Sequence, residues 1–308
     1  NRPGATMSLA NSTTRGNTAE AGPGGGIQNA GTMTMSGVQV SLNTAATDGG
    51  GIFNQGTFTL NNSTVSDNAA PLGGGGLSNK GYLELNDSDV LRNTSVSGFG
   101  GGIVSIEPPS TIVLNNTTVS GNAALEGGGG IGTSGFATLV GTSISDNTSV
   151  ETGGGIANAG DNGVLTLINS TVSGNAVTNA VGGGIGSSAT MTVLSTTVSR
   201  NTATFGATGI WNGGSATLRN AIVDGDCQSS IAVVSLGGNI ESAGNSCGFD
   251  QPTDLVNVPA AALNLGPLAD NGGPTQTHAL LPGSVAIDWV ATDACVNAAG
   301  FPLLVDQR

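Results

Sequence analysis

Any chemistry this sequence performs must come from a small set of side chains. Its 308 residues hold twenty carboxylates, seven lysines and arginines, one histidine and three cysteines. The densest polar group is Lys80, Glu84, Asp87, Asp89 and Arg92. In extended chain Asp87 and Asp89 alternate onto one outward face, an arrangement suited to a cation or a sugar. A solvated acidic stripe accounts for the same residues and is preferred, because carboxylates without a tuned partner are ordinary surface. The cations (Arg2, Arg15, Lys80, Arg92, Arg200, Arg219 and Arg308) are scattered. They supply neither the basic cluster of a polysaccharide lyase nor a stripe to neutralise phosphates, so nucleic acid is an improbable partner. One histidine, His278, reads as a hydrogen-bonded structural residue. It cannot complete a zinc site, and no metal or cofactor is expected. Cys227, Cys247 and Cys295 suggest one disulfide and a leftover thiol, which favours an oxidising compartment. The bridge is expected between Cys227 and Cys247, with Cys295 free or paired elsewhere.

The elements that position these residues follow from an internal repeat. GGG-Ile-type phrases place Ile27, Ile52, Leu77, Ile103, Ile131, Ile156, Ile185 and Ile210 at one phase, spaced 25 to 29 residues apart. A second apolar anchor follows at Met35, Leu60, Leu85, Leu114, Leu139, Leu167, Val193 and Leu218. A third comes five residues later, from Val40 to Val198. Three residues beyond it stands asparagine: Asn17, Asn43, Asn68, Asn93, Asn122, Asn147, Asn175 and Asn201. Apolar and polar residues alternate with period two within each unit, so the segments are short strands. A unit of three such strands cannot bury its own apolar face but can do so stacked on its copies, about 4.8 Å apart. The expected fold is an all-β, right-handed, single-stranded parallel β-helix of about 25 residues per coil. Residues 1–223 form the repeats, and residues 224–308 form irregular coils and a cap within the same domain. The asparagines should stack as a structural ladder.

Composition agrees. Glycine provides 53 residues, charged residues 9% and aromatics 3%, against about a quarter charged in ordinary globular proteins. With 37% hydrophobic residues the chain has a core to bury, which argues against disorder. No apolar run is long enough to span a membrane.

The repeats resemble those of bacterial CSLREA and choice-of-anchor Q β-helix surface proteins, and also those of polymorphic outer-membrane proteins. The tail is the more specific part: Ser235-Leu236-Gly237-Gly238-Asn239, Leu265-Gly266-Pro267-Leu268-Ala269-Asp270-Asn271-Gly272-Gly273-Pro274 and His278-Ala279-Leu280-Leu281-Pro282-Gly283-Ser284. The resemblance implies secretion and surface display without a known reaction.

Since many parallel β-helices act on polysaccharides, the acids were tested against that chemistry. A hydrolase needs carboxylates within about 9.5 Å of each other. Two positions after the third anchor the coils carry Leu42, Asp67, Arg92, Gly121, Asp146, Gly174, Arg200 and Asp224. Asp67 and Asp146 are then three coils, about 14 Å, apart. Asp67 with Arg92, and Arg200 with Asp224, are expected as coil-to-coil ion pairs. The resulting reading is a non-enzymatic extracellular protein, structural or adhesive, with a carbohydrate-active lyase or hydrolase as the alternative. Trp211, Trp289 and Tyr82 could stack on a glycan, but spacing does not single one out. The first coil has no capping helix before it, so end-to-end self-association into filaments is expected.

Overall fold

A computed structural model describes residues 1–290 and 307. The chain winds into a parallel β-solenoid in which each coil adds one strand to each of four sheets. Sheet A takes five-residue strands such as Thr57–Asn61 and Tyr82–Asn86, and sheet B three-residue strands such as Thr64–Ser66 and Asp89–Leu91. Sheet C takes two-residue strands such as Ala69–Ala70 and Thr94–Ser95, and sheet D three-residue strands such as Ile52–Asn54 and Leu77–Asn79. The unit therefore has four strands where three were expected. The additional pair carries only Ala, Thr, Ser or Val, too short to show a period.

Register is constant, so residues of one phase lie over each other: Leu83 pairs with Phe58 and Ile112, Val90 with Val65 and Val119, and Leu77 with Ile52 and Ile103. All three apolar anchors point inward, with a further inward residue two before the second anchor, as in Phe58 and Leu60. Each fully buried Leu, Ile or Val contributes roughly 1.5–3 kcal/mol, which is why the stack holds although no single coil could.

The GGG corner is set by backbone clearance. The first glycine takes positive φ, as at Gly49 and Gly74. A Cβ on Gly50 would lie 2.3 Å from the Ala69 carbonyl oxygen, and one on Gly51 would lie 2.8 Å from that of Gly76. Only glycine allows that approach.

The coils continue past residue 223. Cys227–Ser229, Val234–Ser235 and Ile240–Ser242 extend sheets D, A and B, and Leu255–Val258 adds a last strand to sheet B. Cys247 and Phe249 enter the core at that end, and the Cys227–Cys247 disulfide ties the closing segment to sheet D. Part of the described tail runs along the flank of the solenoid. After a short helix, Ala260–Leu263, the antiparallel hairpin of Leu265–Ala269 and Thr277–Leu280 folds back along the outside of sheet B. Thr275 Oγ1 donates to the Gly141 carbonyl at 2.8 Å, and Arg200 Nη2 donates to the Gly266 carbonyl at 3.0 Å. Ser143, Thr171, Ser173 and Ser199 of sheet B are buried on this flank, and Ser173 bonds His278 of the hairpin strap.

Candidate functional site

The asparagine phase is an interior ladder. Asn68 Nδ2 donates to Asn93 Oδ1 at 2.9 Å, Asn93 to Asn122 at 3.0 Å and Asn122 to Asn147 at 2.9 Å. The same geometry links Asn17 to Asn43, Asn43 to Asn68, Asn147 to Asn175 and Asn175 to Asn201. The second amide hydrogen goes to a carbonyl of the preceding coil, as Asn122 Nδ2 to Val90 at 2.9 Å. Each amide oxygen in mid-stack also accepts a backbone N–H, as Asn122 Oδ1 does from Asn93 at 2.9 Å. The amides are fully engaged and have nothing left for a ligand.

A second ladder stands at the corner between sheets D and A. Asn29 donates to Asn54 and Asn54 to Asn79, both at 2.8 Å, and Asn79 donates to Ser105 at 3.2 Å. This column was missed in the sequence because Ser105, Thr133 and Ser187 interrupt it. Its signal, asparagine two residues after the first anchor, was present.

The column carrying Asp67, Arg92, Asp146 and Arg200 is a backbone feature. These residues and Leu42 have φ between 51° and 58°, while Gly121 and Gly174 occupy the same corner at 65° and 67°. Glycine and aspartate tolerate that left-handed conformation, which explains the residue types without catalysis. Asp67 does pair with Arg92, whose Nε and Nη2 reach the two carboxylate oxygens at 2.8 and 2.9 Å. This hydrogen-bonded guanidinium holds the Asp67 carboxyl below its ordinary range. The expected Arg200–Asp224 pair does not form. Arg200 is turned toward the strap carbonyls of Leu265 and Gly266, and Asp224 accepts from Ser199 Oγ at 2.7 Å.

The five polar residues of the 80–92 coil are spread around its perimeter. Lys80 pairs with Glu107 of the next coil and lies 5.8 Å from the Phe53 ring centroid. Glu84 accepts from Tyr82 Oη at 3.2 Å on sheet A, while Asp87 sits at a positive-φ corner and accepts from Asn116. Asp89 is half-buried on sheet B, and that burial raises its pKa. Asp87 and Asp89 thus do not form one cluster, and among the described residues no group of His, Cys, Asp and Glu could hold a metal.

His278 belongs to the strap. Its Nδ1 lies 2.7 Å from the Gly266 carbonyl, which can only accept, so Nδ1 carries the proton and Nε2 accepts from Ser173 Oγ at 2.8 Å. Burial is the main cause lowering the His278 pKa, with Arg200 adding to it. A Ser–His contact is half of a nucleophile–base pair. Here Ser173 is 2% and His278 7% exposed, so the pair fastens the hairpin, and His278 also lines a small concavity of about 150 Å³ with Thr171, Thr197, Thr277 and Gln307. Trp289 Nε1 donates to the Thr253 carbonyl at 2.9 Å. Cys295 lies outside the described residues.

Another concavity lies on the outside of sheet D. The middle residue of each sheet D strand faces outward, and in register these are Val104, Gly132, Ala157, Gly186 and Trp211. Ala157 and Gly186 form the floor of a trough of about 240 Å³ between Phe99, which stands over Gly132, and Trp211. Glu126, Glu151 and Thr152, from the loops before sheet D, line one wall, and Ala159 and Ser188 line the other. Glu126 and Glu151 each precede the sheet D isoleucine of their coil by five residues, and the Glu151 amide donates to the Leu125 carbonyl, so they are stacked neighbours.

Fold and surface together define a β-solenoid with a closed interior and a strapped flank. No known protein family, no curated protein and no solved structure matches the chain.

Proposed function

We propose that this chain is a non-enzymatic, extracellular or surface-displayed β-solenoid with a structural and adhesive role. The observation that carries the reading is the placement of the groove acids. Glu126 and Glu151 line the same wall, while the facing wall carries Ala159 and Ser188. Glycoside hydrolysis needs two carboxyl groups flanking the scissile bond, one protonating the leaving oxygen and one attacking or activating water. Two acids stacked on one wall are placed to accept hydrogen bonds from hydroxyls along the axis rather than to flank a bond from opposite walls. The disulfide supports an oxidising compartment. No helix among the described residues is long and apolar enough to cross a membrane.

The alternative, a carbohydrate-active enzyme, draws on the same pair, since adjacent coils bring the two backbones to about 4.8 Å. Incubation with neutral and acidic polysaccharides, reading new reducing ends and unsaturated products, separates the two. No product, with retention of the protein on one of the polysaccharides, is expected. Release of product that disappears in Glu126→Gln or Glu151→Gln would establish the enzyme instead.

A further inference from the structure

We infer that the sheet D groove binds a short stretch of an uncharged glycan, with Trp211 and Phe99 as its two stacking platforms. This rests on the adhesive reading and assigns it a site and a ligand class.

The floor is set by residue size at a single phase of the repeat. The outward sheet D position holds Gln28, Phe53 and Ser78 in early coils, then Val104, Gly132, Ala157, Gly186 and Trp211. The open floor spans Ala157 and Gly186 and ends at tryptophan. Phe99 closes the other end: a Cβ built on Gly132 would stand 3.1 Å from its Cβ, and its ring lies against Gly127. From Gly132 to Trp211 is three coil spacings, about 14 Å, the span of a short oligosaccharide lying along the solenoid axis.

The Trp211 platform and the loop wall are held in advance. Trp211 is half-buried and its ring covers Gly213, where an added Cβ would stand 2.8 Å from Trp211 Cη2. The Thr152 methyl lies over Gly186, 2.2 Å from where a Cβ would be, so the loop wall is seated against the floor. A rigid aromatic face set beside a small-residue floor suits the flat C–H face of a pyranose, and preorganisation limits the ordering cost of binding.

Charge narrows the ligand class. Among the described residues the groove is lined by two glutamates and by no lysine or arginine, on a chain of formal charge −13. Uronates, sulfates and phosphates meet repulsion and find no cation to pair with. Hydroxyl groups instead find two carboxylate acceptors along one wall and the Ser188 hydroxyl on the other. Charge-assisted hydrogen bonds of this kind orient a neutral sugar.

The test is calorimetric titration of the full chain with neutral gluco-, manno- and galacto-oligosaccharides, chitosan oligomers and oligogalacturonates. At least one neutral series is expected to bind, and oligogalacturonates are not. Trp211→Ala should weaken binding about tenfold. Ala157→Leu, which fills the floor from outside the core, should abolish it while the circular dichroism and thermal unfolding stay unchanged. Absence of binding by every neutral series, affinity confined to chitosan or to oligogalacturonates, or neutral binding unaltered by both variants would overturn the inference. None of these results bears on whether the chain cleaves polysaccharides, which the product assay decides separately.

Discussion

Replacing Asn122 by leucine probes the claim that the interior ladder holds neighbouring coils together. Asn122 Oδ1 accepts from the Asn93 backbone N–H and from Asn93 Nδ2, at 2.9 and 3.0 Å. Its own Nδ2 donates to the Val90 carbonyl and to Asn147 Oδ1, both at 2.9 Å. Leucine removes all four bonds. Asn93 Nδ2 keeps its bond to the Val65 carbonyl, and Asn147 Oδ1 keeps the Asn122 N–H. The Val90 carbonyl stays in the sheet B ladder with the next coil, whereas the Asn93 N–H has no such reserve. At about 1–3 kcal/mol for a stranded buried group, the loss is about 1–3 kcal/mol. The site has little room for relaxation, because a Cβ on Gly102 would already lie 3.0 Å from Asn122 Cγ. Asn115→Leu is the control. Asn115 donates to Asn86 Oδ1 at 2.8 Å in an outer, half-buried row, where water can replace the bond. Denaturant unfolding should show the large loss for Asn122→Leu alone. Hydrogen exchange should place the opening in the coils around Asn93 and Asn147, since a solenoid transmits strain mainly to neighbours. Equal losses in the two variants would refute the argument that the interior column is a buried, fully satisfied network.

Two further outcomes follow from the same bookkeeping of polar groups. Asn158 Oδ1 is buried without a partner, because Thr133 stands beneath it where the second ladder elsewhere has asparagine. Thr133→Asn should supply the missing donor and raise stability by about 1 kcal/mol in denaturant unfolding; a loss of stability would show that the corner cannot accept the amide. The His278 contacts predict acid release of the strap. Burial lowers the folded pKa below the ordinary 6.5, so the folded state takes up its proton later than the unfolded one as the pH falls. The strap's contribution is therefore complete above pH 6.5 and is lost as the pH falls below it. Proteolysis within residues 265–280 should accelerate between pH 7 and 5, and His278→Asn should flatten that dependence. A rate independent of pH in the wild type would remove histidine as the latch.

The frame was legible because its constraints repeat. A glycine needed for clearance beside the Ala69 carbonyl is needed again at Thr94, Ala123 and Thr148, so three glycines and an asparagine recur at fixed phase. The positive-φ corner was visible too but was read as charge, since its Asp and Arg residues suggest ion pairs before they suggest a backbone angle. Asp67 and Arg92 satisfy both readings, whereas Arg200 satisfies only the second and Asp224 neither. The strap was not legible. Its partners, Gly141, Ser173 and Arg200, are joined to it by folding alone and carry no mark in the repeat. The groove was hidden for the same reason: Gly132, Ala157 and Gly186 are unremarkable singly, and their meaning lies in being successive members of one outward phase.

That phase indicates where function can reside on such a scaffold. Each inward position is fixed by the cross-section of the stack, and each corner by clearance, a ladder bond or a positive φ. A change there propagates to the coils on either side. The outward middle residue of sheet D is under no such demand, and it runs from glutamine through phenylalanine, serine and glycine to tryptophan while its inward neighbour remains isoleucine or leucine. Relief on that face can therefore vary without disturbing the core, and a trough bounded by two aromatic rings costs the frame nothing. Acid–base chemistry would ask more, because opposed carboxyl groups must be placed by two elements at once. In a solenoid the simple arrangement is a column on one wall, as Glu126 and Glu151 form. Such a column sets carboxylate acceptors at the coil spacing along the axis, which is the arrangement the proposed glycan site draws on.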